Sequence, residues 1–164
     1  MNTNRIEKQI LLKAPRERVW RAISDSGQFG RWFGIAFDGP FVEGVRVTGK
    51  MVPTSVDAEV AAQQKPYEGM ACDFFVERLE PMRRFSFRWH PYPLEPGADA
   101  STAPMTLIVF DLEEAPGGVL LRISESGFDQ IPLEHRAKAF ADNEGGWGIQ
   151  TRLIEKYLAM QSQE

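Results

Sequence analysis

The sequence predicts an α+β fold in which an antiparallel sheet of about six to seven strands is covered on one face by a long carboxy-terminal helix. Three observations carry this. Helical spacing directly follows a first strand, and short alternating apolar segments punctuated by Gly and Pro fill the middle of the chain. After Ser126-Gly127-Phe128-Asp129 the apolar period changes from two to 3.6 residues.

Taken in order, Arg5 to Lys13 reads as a strand with Ile6, Ile10 and Leu12 on one face, and Leu11 adds an apolar residue to the other. Pro15 stands at a helix start, and Val19, Trp20 and Ile23 continue that helix to about Ser24. Asp25 and Ser26 are suited to cap a second short helix carrying Phe29, Trp32 and Phe33. Val45, Val47 and Met51 then alternate with Arg46, Thr48 and Lys50 after Gly39-Pro40 and Gly44, which predicts a hairpin-like region.

Pro53 to Gly69 lacks a period and reads as a long loop with a helical turn around Val56 to Ala62, placed to serve as a lid. Cys72, Phe74 and Val76, then Phe85, Phe87 and Trp89, flank Glu80-Pro81-Met82 as an antiparallel hairpin. A Pro-rich loop follows from His90 to Ala103. Thr106, Ile108, Phe110 and Leu112 form the inward face of the next strand, and Val119, Leu121 and Ile123 return after Pro116-Gly117-Gly118. Leu133, Ala137, Phe140, Trp147, Ile154 and Leu158 lie close to one helical stripe over residues 130 to 160.

The chain of 164 residues fits a single domain, and its 43% hydrophobic content separates it from disordered chains. A net charge of -4 without a Lys/Arg run argues against nucleic acid as a partner. Residues 1–8 reach charged sequence without an apolar signal core, and no apolar stretch approaches the roughly 20 residues that span a bilayer. With one unpaired thiol, Cys72, a cytoplasmic location without membrane insertion is the expectation. Cys72 shares the alternation of Phe74 and Val76, which predicts a buried, inert thiol.

His90 and His135 are far apart and outside any ligand-spaced motif, so no metal is expected; no glycine-rich phosphate loop or nucleophile elbow is present, and no cofactor is implied. The most informative stretch is Asn143-Glu144-Gly145-Gly146-Trp147-Gly148, where each glycine costs the helix about 1 kcal/mol relative to alanine. Two readings follow. Gly146 either lets the helix approach the sheet or kinks it, with Trp147 as ordinary core, or it leaves room for a ligand that Asn143 and Gln150 orient. Trp32, within Arg31-Trp32-Phe33, reads either as core or as cavity lining, as do Phe87 and Trp89. Glu125 sits near a strand end facing the helix, as a solvated strand end, an ion-pair partner or a proton-handling group. Arg88 reads as an outward surface arginine.

Ala14-Pro15-Arg16-Glu17-Arg18-Val19-Trp20, Arg31-Trp32-Phe33, Glu125-Ser126-Gly127-Phe128 and Asn143 with Gly146-Trp147 together resemble the bacterial branch of the START-like, or SRPBCC, superfamily. Its members are similar to the carboxy-terminal domain of the activator of the ninety-kilodalton heat-shock-protein ATPase. The resemblance implies a helix-grip fold, a curved sheet wrapped around the terminal helix with a cavity between them. Its leading functional implication is a hydrophobic or amphipathic small molecule, aromatic or lipid-like, held by Trp32, Phe87, Trp89, Glu125, Asn143, Gly146, Trp147 and Gln150. The alternatives are a cyclase- or hydratase-type enzyme using Glu125, Asn143 or His90, and a stress-response interaction module that binds a protein partner or a second copy of the chain.

Overall fold

The computed structural model describes residues 4–92, 99 and 101–161. Their elements are β1 (Arg5–Leu12), α1 (Arg16–Ser24), α2 (Ser26–Phe33), β2 (Ile35–Phe37), β3 (Arg46–Val47), β4 (Gly49–Met51), α3 (Ala58–Gln64), β5 (Phe74–Glu80), β6 (Arg84–Trp89), β7 (Thr106–Ala115), β8 (Gly118–Ser126) and α4 (Leu133–Gln161). One-turn 3-10 segments follow α3 at Lys65–Tyr67 and β8 at Phe128–Gln130. Six strands form an antiparallel sheet in the order β1-β8-β7-β6-β5-β3, while β2 and β4 pair separately. This is the α+β helix-grip architecture, with 29-residue α4 as its long helix.

The capping residues explain the two helices after β1. Pro15 precedes α1 in an extended conformation, and Val19, Ala22 and Ile23 turn inward from it. Asp25 then accepts from the Gln28 backbone N–H at 2.9 Å, capping α2, and Gly34 at φ +100° ends that helix in the left-handed region. The Trp32 indole donates to the Ala22 carbonyl at 2.8 Å, joining the two helices. Phe29 packs at the centre of the aromatic core, against Phe74 and Phe110 among others, and Phe74 stacks on Phe87 with centroids 3.8 Å apart. Each such fully buried ring contributes roughly 1.5–3 kcal/mol through burial.

The inward sets on β7 and β8 hold: Thr106, Ile108, Phe110, Leu112, Val119, Leu121 and Ile123 are all buried. Arg88 points outward and pairs with Glu77.

Three local expectations change. The hairpin at Val45 to Met51 is instead two short strands in different sheets, β3 against β5 and β4 against β2. Asp73 clamps the corner, accepting from Arg46 Nη2 at 2.6 Å and from the Gly49 N–H at 3.3 Å, and Val45 is left exposed. Gly49 is required there, since a Cβ would lie 2.7 Å from the Cys72 carbonyl oxygen.

Within Pro53 to Gly69, α3 begins two residues later than the expected turn, because Asp57 accepts from the N–H groups of Glu59 and Val60. Leu133 and Ala137 are exposed, although the helical stripe places them inward. Phe128 and Ile131 already fill the core beside the first turns of α4, and its first buried residue is Ala139. Pro93, Pro96 and Gly97 of the expected Pro-rich loop lie outside the described residues.

Candidate functional site

Alternation along β8 puts Val119, Leu121, Ile123 and Glu125 on the same inward face, so the strand ends its apolar row with a carboxylate. Glu125 is fully buried. The ends of β6 and β7 lie alongside, with Trp89 and Thr106 paired across the ladder. From the other side, α4 contributes Asn143 and Trp147, one helical turn apart.

All four side chains donate to Glu125. Trp147 Nε1 reaches Oε1 at 2.8 Å, Trp89 Nε1 reaches Oε2 at 2.9 Å and Thr106 Oγ1 reaches Oε2 at 2.5 Å. Asn143 Nδ2 bridges both oxygens at 3.0 and 3.1 Å. None of the ion pairs among the described residues includes Glu125. A buried carboxylate is costly unless its lone pairs are occupied, and these neutral donors fill its roughly four acceptor positions. The arrangement is therefore a clasp between helix and sheet. A saturated carboxylate has no lone pair left to take a proton from a substrate.

The indole rings that close this clasp also form a wall. Trp89 and Trp147 lie 5.6 Å apart, and Phe33 lies 6.0 Å from Trp89 and 5.8 Å from Trp147. Beyond Trp147 along α4, Gln150 donates through Nε2 to the Phe33 carbonyl at 3.1 Å, and Gln64 at the end of α3 donates to the same oxygen at 3.2 Å. The carbonyl fixes the orientation of the Gln150 amide, since only its nitrogen can face that acceptor. Its other atom, Oε1, is shielded from solvent and has no hydrogen-bond partner among the described residues.

Gly146 is one turn before Gln150 on the same face. A Cβ built on Gly146 meets nothing within 4 Å outside the helix's own backbone, so close packing against the sheet does not explain this glycine. Helical side chains lean toward the amino terminus, which directs the Gln150 amide over the turn containing Gly146.

Of the residues expected at a site, the structure thus brings Trp89, Glu125, Asn143 and Trp147 together, with Gly146 and Gln150 on the adjoining flank. Trp32 lies deeper in the aromatic core, bonded to Ala22, while Phe87 stacks on Phe74 and also meets Trp89 with centroids 5.8 Å apart, behind the wall. His90 is on the opposite face of the sheet from Trp89, with its Nδ1 3.1 Å from the Pro104 carbonyl and its ring against Phe75. Thr106, Gln64 and the Phe33 carbonyl escape the sequence reading. Thr106 alone carries a signal, as a polar residue heading an otherwise apolar inward row.

Among the described residues no group of three His, Cys, Asp or Glu side chains is placed to hold a metal ion, and no helix is long and apolar enough to cross a membrane.

A sequence model of the family described as activator of Hsp90 ATPase homolog 1-like protein matches residues 13–159. None of the curated proteins matches the sequence. Among solved structures, the chain is similar to DynU16, from the dynemicin biosynthetic locus, with 19% identity and TM-score 0.67. That match covers 95% of this chain and 47% of DynU16, so the chain spans about half the length of that relative. Protein MLL2253 from Mesorhizobium loti is 20% identical over 95% of this chain and 97% of its own, with TM-score 0.69. The Aha1 dimer from Colwellia psychrerythraea is 19% identical over 94% of this chain and 95% of its own, with TM-score 0.64. These likenesses concern the fold.

Proposed function

The chain belongs to the activator of Hsp90 ATPase homolog 1-like family, and within that fold we propose that it binds a hydrophobic or amphipathic small molecule between α4 and the sheet, at the flank of Gly146 and Gln150. The observation that carries this reading is the unpartnered Oε1 of Gln150, shielded from solvent one turn from a glycine whose side-chain position is empty. A buried acceptor left unpaired costs about 1–3 kcal/mol, and a ligand donor would recover that cost. Phe33, Trp89 and Trp147 supply the aromatic wall expected of a small-molecule site.

Because Oε1 is closed off, the ligand reaches it through a local opening, and α3 with the turn after it is the element suited to move. No residue of α3 or that turn is buried. The segment is held from the side by Gln64 on the Phe33 carbonyl and by Lys156 on Asp57 at 3.3 Å. Binding is favoured over catalysis at this site because the one carboxylate within it is saturated by its donors.

The test is native mass spectrometry of freshly purified protein for a co-purifying small molecule, together with binding of the uncharged fluorescent probe N-phenyl-1-naphthylamine to wild type and Gly146→Leu. A Cβ at residue 146 meets no neighbour, so the variant should keep or raise its melting temperature while probe binding weakens. Undiminished probe binding by a stably folded Gly146→Leu protein, with no co-purifying molecule, would overturn the reading.

A further inference from the structure

Resting on the binding reading above, we infer that the site selects a neutral or cationic ligand that has an apolar body and presents one hydrogen-bond donor, such as an alcohol, phenol or N–H heterocycle, and that it rejects carboxylates. The indole N–H groups of Trp89 and Trp147, the Asn143 amide nitrogen and the Thr106 hydroxyl all donate to Glu125. Gln150 Nε2 donates to the Phe33 carbonyl. The indole, hydroxyl and Asn143 donors are thus committed, Gln150 Nε2 has used one of its two N–H groups, and one shielded acceptor, Gln150 Oε1, has no partner.

A ligand bringing only an acceptor leaves Oε1 unpaired. A ligand bringing a donor completes the set. This asymmetry sharpens discrimination, because a site built around a hydrogen bond disfavours the analogue that cannot make it far more than a purely apolar site does.

Charge acts in the same direction. Glu125 lies directly behind the two indoles, and no ion pair among the described residues joins it to a cation. A ligand carboxylate seated against Trp147 would place a second negative charge close to Glu125 in a water-poor setting, where repulsion is stronger than in water. The donor preference comes from Gln150 and the anion rejection from Glu125, so the two are separable by mutation.

The experiment uses the full chain and four probes on one skeleton: naphthalene, 2-naphthol, 2-methoxynaphthalene and 2-naphthoate, with affinities from calorimetry at neutral pH. The expected order is 2-naphthol tighter than 2-methoxynaphthalene by about tenfold, the size of one hydrogen bond to a buried acceptor, with 2-naphthoate weakest. In Gln150→Leu the naphthol preference disappears while naphthalene binding persists. Gln150→Met serves the same purpose should the leucine variant lose its cooperative melting transition. Equal binding of all four probes, naphthoate binding as tightly as naphthol, or a naphthol preference surviving at residue 150 overturns the selectivity while leaving the binding reading intact. Failure of every probe to bind refutes the binding reading at this flank, and the selectivity falls with it.

Discussion

The indole N–H of Trp147 donates to Glu125 Oε1 at 2.8 Å, and this bond fastens the middle of α4 to the end of β8. It also orients the ring whose edge meets Phe33 and Phe110 with centroids 5.8 Å away in each case. One carboxylate thereby fixes the rotation of the helix over the sheet and the position of the aromatic wall.

Replacing Glu125 by Gln tests that clasp. The amide nitrogen of glutamine turns a donor toward groups that themselves donate, so at least one of Trp89, Thr106, Asn143 and Trp147 loses its acceptor. A loss of roughly 1–3 kcal/mol is expected, the cost of leaving a buried donor without its acceptor. Urea unfolding followed by tryptophan emission measures it, and a loss below 1 kcal/mol would show that the clasp contributes little.

Glycines in two settings should respond in opposite directions to alanine. At Gly145 and Gly148 an added Cβ meets nothing within 4 Å, so each substitution should raise stability by about 0.5–1 kcal/mol through helix propensity. At Gly30 the same atom would lie 2.0 Å from the Ile35 carbonyl oxygen, which is backbone and cannot step aside. Gly30→Ala should therefore lower the melting temperature, and thermal unfolding of the three variants is the check.

Cys72 stands just before β5 and is half-buried as a residue rather than fully buried, yet burial of its thiol, followed by the negative charge of Asp73, pushes it up from 9.0 to about 12. The protonated thiol is the form the fold favours, so its contribution to stability is full below the ordinary thiol value and is lost as pH rises toward 12. At pH 8 the thiolate population falls on the order of a thousandfold below that of a free thiol. Labelling kinetics with a disulfide reagent should be correspondingly slow in native protein, and labelling at the rate of an unfolded peptide would refute the burial.

Asp57 should make α3 acid-sensitive. The Val60 N–H, then Lys156, hold its carboxyl below the ordinary 3.8. A lowered value means the cap's contribution is present above pH 3.8 and is lost as pH falls through the depressed value. Hydrogen exchange should show residues 58–64 opening on acidification before the β7–β8 ladder does. Asp57→Asn keeps a capping oxygen but cannot titrate, so its α3 exchange should lose this acid-triggered opening.

Much of the fold was legible in the chain because it rests on local periodicity. Alternation from Val119 to Ile123 extends to Glu125 and turns that carboxylate inward without any knowledge of its partners. Asp25 before Phe29 and Trp32 is a cap that reads directly from residue order. The phase of α4 was legible only in part: Trp147, Ile154 and Leu158 are buried as their spacing requires, whereas Leu133 is 79% exposed. What covers the start of a helix depends on Phe128 and Ile131 reaching the core first, which helical spacing does not encode.

The amino-acid sequence by itself determined the α+β order, the inward rows and the glycine-rich interruption around Trp147. Tertiary structure alone decided what those features do. Trp89 and Thr106 reach Glu125 across 36 and 19 residues of chain because strand register brings the ends of β6, β7 and β8 side by side. The sequence left Gly146 open between close packing and vacant space, and the rotation of α4 decided that a Cβ there meets no neighbour. Gln150 Oε1 is unpaired because the Phe33 carbonyl, 117 residues away, captures the amide nitrogen. Local patterns record which face a residue takes; the partner it meets on that face is set by register and helix rotation, which depend on the packing of the whole chain.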